Sequence, residues 1–75
     1  MKPTIDELKT LVRLQLGLSE IGDRDHLIEA LGAESADMVN IIAAVEDKYQ
    51  VSIDEDEIAK IHTVADLYKL IQNRA

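Results

Sequence analysis

The sequence contains no cysteine, which removes disulfides, thiolate metal sites and cysteine nucleophiles together. Any thiol chemistry has to be imported. Tryptophan and phenylalanine are also absent and only two tyrosines occur, Tyr49 and Tyr68, so a core has to be assembled from Leu, Ile, Val and Ala. That composition suits helices packing on helices. No apolar run approaches membrane-spanning length, and Met1-Lys2-Pro3 leads straight into a charged amphipathic stretch. The expectation is a cytoplasmic protein without stable membrane binding. Basic residues are scarce: eight lysines and arginines face fifteen acidic side chains, a net charge of −7 that repels nucleic-acid backbones and attracts basic protein patches. There is no Gly-rich phosphate loop and no serine or threonine with a nearby histidine base, so the chain reads as a non-enzyme. His26 and His62 belong to no His-x-x-x-His or Glu-x-x-His array. Both read as surface or loop residues, and no metal is expected.

What is present is enough for one small core, expected as a single domain over residues 1–75. The expected fold is all-α: a small four-helix bundle with three longer helices, one short helix at about 54–60, and a long loop between the first two. Thr4-Ile5-Asp6-Glu7 has the form of a capping box, with Thr4 as the cap and Glu7 reaching back. Ile5, Leu8, Val12 and Leu16, widened by Leu11, then make one apolar stripe that Gly17 can end, which gives a first helix over roughly 4 to 16. Between Leu18 and Ala30 the periodicity weakens and Ser19, Gly22, Asp23 and Asp25 mark a loop. Leu18, Ile21, Leu27, Ile28 and Leu31 are too many apolar residues for a free linker and are expected to close one end of the bundle.

The second helix is expected from Ser35 to Gln50. Winding it at 3.6 residues per turn puts Met38, Ile42, Val45 and Tyr49 inside, Ile41 at their margin, and Ala36, Asn40, Ala43, Ala44 and Asp47 outside. Val51-Ser52-Ile53 alternates like a strand but has no partner strand, and is expected as an extended connector. The acidic run from Asp54 to Glu57 lacks the glycine and spaced ligands of a calcium loop and reads as the dipole-favoured start of a short helix. Thr63 caps the last helix, with Asp66 where a capping box would have Glu, and Val64, Leu67 and Ile71 point inward with Leu70 beside them.

The turn Leu31-Gly32-Ala33-Glu34-Ser35-Ala36-Asp37-Met38-Val39 sets one hydroxyl, on Ser35, at the mouth of the second helix. One reading makes Ser35 an N-cap and nothing more. The chain would then be an acidic helical interaction module that binds a partner unmodified.

The same stretch carries a wider pattern. Leu-Gly-Ala-Glu-Ser-Ala-Asp-x-Val, then Val45-Glu46-Asp47-Lys48-Tyr49, Val51-x-Ile53 and an acidic run, resembles the acyl carrier protein family, most densely from Ile28 to Val64. The resemblance implies a carrier whose serine hydroxyl is joined through a phosphodiester to 4'-phosphopantetheine, with acyl groups held as thioesters on the terminal thiol. By position that serine is Ser35. The family's motif is Asp-Ser-Leu and here it reads Glu34-Ser35-Ala36. The implied partners are a phosphopantetheinyl transferase and acyl-activating, condensing or acyl-transfer enzymes with basic docking patches, met by a monomer. Partner contacts fall by position on Glu34, Ala36, Asp37, Asn40, Ala43, Glu46 and Asp47. Ala36 replaces the usual leucine, Asn40 a usual glutamate and Ala43 a larger apolar contact. Those losses of bulk and charge point to a specialised member with a dedicated partner set, in fatty acid, polyketide or related biosynthesis.

Overall fold

A computed structural model describes residues 3–74; Met1, Lys2 and Ala75, which the expected domain and N-terminal reading include, lie outside the described residues. Thr4 opens the first helix, α1 (Ile5–Leu16): its hydroxyl oxygen accepts the Glu7 N–H at 3.2 Å. The Glu7 carboxylate reaches back to the Thr4 hydroxyl, which donates to it at 3.3 Å. Gly17 ends α1 in the left-handed conformation at φ +70°, where a side chain would be strained. Leu8 and Val12 are fully buried, while Ile5, Leu11 and Leu16 pack half-buried around them, so the expected stripe is the face that meets the core.

Helix α2 (Ser35–Tyr49) stops one residue before the expected end. Gln50 leaves the helix with φ +55° and satisfies the last turn by donating its N–H to Glu46 O. Met38, Ile42, Val45 and Tyr49 are buried as expected, but Ile41 is fully buried instead of marginal. With Ile41 and Ile42 both covered, the apolar arc of α2 is wider than one stripe, as a central helix requires. The Tyr49 hydroxyl donates to Glu7 on α1 at 3.2 Å. Burial, and after it the Glu7 charge, push that hydroxyl's pKa up and keep it protonated.

Val51 to Asp54 run as an extended connector into α3 (Glu55–Ile58), which is shorter than the expected 54–60. Asp54 is its N-cap, and the Asp54 N–H donates to Glu57 at 3.0 Å. Helix α4 (Val64–Gln72) starts in a reciprocal box: Thr63 Oγ1 accepts the Asp66 N–H at 3.1 Å and Asp66 accepts the Thr63 N–H at 3.2 Å. Val64, Leu67 and Ile71 are fully buried. The described residues form an all-α fold of three long helices and one short one, in which α1 packs on both α2 and α4.

The 17–34 loop is pinned to this bundle by apolar and backbone contacts together. Ile21 and Leu27 are buried, Leu18 and Leu31 half-buried. The Leu27 N–H donates to His62 O at 2.9 Å and the Ala65 N–H to Asp23 O at 3.0 Å, which ties the loop to the start of α4. Ile28 does not close the end of the bundle as expected: it is 56% exposed. Residues 26–31 form a helical turn in which the N–H groups of Ala30 and Leu31 both bond His26 O, and Leu27 takes the inward position. Its neighbour is thereby turned outward.

Candidate functional site

Ser35 is the first residue of α2, not its cap. The N-cap is Glu34, in extended conformation, and its N–H donates to the Asp37 carboxylate at 2.9 Å. This corrects the expectation that capping could account for Ser35, because Glu34 and Asp37 already do that work. Thr4 and Thr63, the other hydroxyls at helix starts, are both spent as caps. Among the described residues no hydrogen bond engages the Ser35 hydroxyl, and the residue is exposed.

The first-turn N–H groups of α2 lack intrahelical partners, as at any helix start, and the dipole of a fifteen-residue helix makes this end favourable for a phosphate. Beside it lies a cleft of about 290 Å³ lined by Ser35, Ile28, Met38, Val39 and, across from α2, Ile58, Ala59, Ile61 and His62. A second cleft of about 390 Å³ continues it along the seam between α2 and α3, sharing Val39 and Ile58. Val39 is 64% exposed, so the seam offers apolar surface that the fold itself leaves uncovered. An uncommitted hydroxyl at a helix start, opening onto an apolar trough, fits a phosphate-linked tether with an apolar load.

Residues 6–71 match the family described as "Phosphopantetheine attachment site". The chain belongs to this family of acyl carrier proteins. Similar relatives include the acyl carrier protein of Sulfurovum sp. (strain NBC37-1), 37% identical over 91% of this chain and 93% of that protein. The acyl carrier protein of Wolinella succinogenes is 35% identical over 89% of this chain and 91% of its own. In fold, a proposed acyl carrier protein from Mycobacterium tuberculosis superimposes with a TM-score of 0.81 at 23% identity, covering 87% of this chain and 89% of that one. The carrier is therefore non-catalytic, and phosphopantetheine is its cofactor. Carriers of this family work with phosphopantetheinyl transferases and acyl-handling enzymes.

The side chains expected to meet partners fall into two groups. Glu34, Ala36, Asn40, Ala43 and Asp47 are exposed along the start and outer face of α2. Asp37 and Glu46 are half-buried and already engaged: Asp37 with the Glu34 N–H and Glu46 with the Ile53 N–H, each at 2.9 Å. Two residues near the cleft escaped sequence reasoning as a pair. The rings of His26 and His62 stack with centroids 5.9 Å apart and planes inclined by 19°. Nothing in their spacing announces it; the contact exists because the Leu27 N–H is bonded to His62 O. No described helix is long and apolar enough to cross a membrane.

Proposed function

We propose that Ser35 is the residue that bears the phosphopantetheine, and that residues 1–75 act as one monomeric carrier domain in the cytoplasm. The observation that carries this reading is the free, exposed hydroxyl at the first position of α2, left uncommitted because Glu34 and Asp37 cap the helix. When attached, phosphopantetheine supplies a terminal thiol on which acyl groups are held as thioesters. The chain's own residues supply the rest. Ser35 Oγ is the nucleophile: it gives up its proton to a base of the transferase and bonds the pantetheine-side phosphorus of coenzyme A, whose diphosphate bond breaks to release adenosine 3',5'-bisphosphate. The first turn of α2 steadies the resulting phosphodiester through its N–H groups and dipole. Val39, Met38, Ile58 and Ile61 give an apolar surface beside the tether on which a hydrocarbon chain is shielded from water.

The docking surface on this reading is the exposed start and outer face of α2. Glu34 and Asp47 attract basic patches on the transferase and on acyl-activating, condensing or acyl-transfer enzymes. Ala36, Asn40 and Ala43 make the contact face smoother and less charged than the family pattern, which favours a dedicated partner set over general fatty-acid elongation. Asp37 and Glu46 contribute less to docking, since their carboxylates are held by the N–H groups of Glu34 and Ile53.

Intact-mass measurement after incubation with a broad-specificity transferase and coenzyme A tests the attachment. A gain of one phosphopantetheinyl group that Ser35→Ala abolishes is the expected result, and no gain, or a gain that survives the substitution, overturns it. Competition against a housekeeping carrier for elongation enzymes tests specialisation, with equal efficiency as the contrary outcome.

A further inference from the structure

Helix α3 is four residues long and buries none of them, and it forms no helix–helix interface comparable to those of α1 with α2 and α4. Yet through Ile58 it is the far wall of both clefts along the α2 seam. Ile58 is only half-buried against the core, so apolar packing alone fixes that wall weakly.

Polar contacts from α2 and from the end of α4 do the holding instead. On one side Glu46 accepts the Ile53 N–H at 2.9 Å. On the other, one Arg74 guanidinium nitrogen donates to Ser52 O at 2.8 Å and to Glu57 Oε1 at 2.7 Å, while the second pairs with Glu57 Oε2. Arg74 is itself fixed to α4, its N–H bonding Ile71 O at 2.9 Å. A single planar guanidinium thus joins the end of α4 to both the entry segment of α3 and its third residue. A fork of five donors can serve a carbonyl and a carboxylate together, which one ammonium cannot match.

We propose that Arg74 is a positioning residue for the cleft beside Ser35: by clamping Ser52 and Glu57 it fixes the spacing of α3 from α2, and so the width of the trough open to an acyl chain. The link to cargo rests on the reading of Ser35 as the attachment point; the clamp itself does not. Arg74 is not among the residues that line the cleft beside Ser35, and its side-chain bonds go to Ser52 in the connector and Glu57 in α3.

The test is amide hydrogen exchange on the unmodified protein, comparing wild type with Arg74→Met, Arg74→Lys and Glu57→Gln. Loss of an exposed charge-assisted pair is expected to speed exchange at Ile58, Ala59, Lys60 and Ile61 by roughly threefold in Arg74→Met while α1 and α2 stay at wild-type rates. Glu57→Gln should act in the same direction, and Arg74→Lys should recover only part of the protection. Unchanged exchange in α3, an equal rise throughout the chain, or full recovery with lysine overturns the clamp. On the carrier loaded with acyl chains of increasing length, Arg74→Met should alter the acyl-dependent methyl shifts of Val39 and Ile58. A loosened α3 with wild-type shifts overturns the link to cargo. Because the exchange is read without modification, failure of Ser35 to accept phosphopantetheine would leave that result to stand or fall alone.

Discussion

The Asp37 carboxylate accepts the Glu34 N–H at 2.9 Å, closing a loop of backbone around Ser35. Ser35 sits inside the capping arrangement without being consumed by it. Asp37→Ala should therefore cost about 0.5–2 kcal/mol, the usual range for a lost cap, and lower the thermal midpoint by several degrees in a chain of this size. Asp37→Asn keeps an acceptor oxygen and should fall between. Thermal denaturation followed by circular dichroism gives the ranking, and an Asp37→Ala protein as stable as wild type would mean that this bond does not hold the turn.

Acid should weaken the fold through Asp66. Burial alone would raise the pKa of its carboxyl, but the N–H of His62 and the hydroxyl and N–H of Thr63 outweigh it and hold the value below the ordinary one. A lowered folded pKa contributes stability above the unfolded value of about 3.9 and loses it as pH falls through the folded value. Glu57, lowered first by Arg74, adds a contribution of the same sign. Stability carried by these two carboxylates should therefore hold from pH 7 to about 5 and drop below about pH 4. Melting curves from pH 7 to 3 check the profile, and Asp66→Asn should flatten its acid limb.

Gln50 holds φ +55° at the end of α2, in the left-handed region that costs a side-chain-bearing residue about 1–2 kcal/mol. Glycine there gives up the Gln50 side-chain bond to Asp47 O and some unfolded-state entropy, but removes the strain. Gln50→Gly should be stabilising by roughly 0.5 kcal/mol, and Gln50→Val destabilising. Urea unfolding of the pair measures both signs.

Periodicity exposed α1, α2 and α4 in the sequence because each has an apolar stripe longer than two turns, and Thr4, Gly17 and Thr63 mark their ends by side-chain chemistry. The end of α2 was less legible, since Gln50 carries no such mark. Ile28 could not be assigned correctly from hydropathy, because its exposure follows from a turn in which Leu27 wins the inward position. At the candidate site the serine was visible, but the identity of its cap was not. Glu34 is a poor intrinsic cap, and only its bond to Asp37 in three dimensions frees the Ser35 hydroxyl. The Arg74 clamp and the His26–His62 stack join residues far apart in the chain and leave no periodic trace.

Trypsin cutting after Arg24 and Lys48 releases Asp25–Lys48, a peptide in which Ser35 is the only hydroxyl-bearing side chain. Its mass after incubation with a phosphopantetheinyl transferase and coenzyme A tests the attachment site most directly. One phosphopantetheinyl group on that peptide, with every other peptide unchanged, is the predicted result. An unmodified Asp25–Lys48, or the added mass on a peptide carrying Ser19, Ser52 or a threonine, would contradict it.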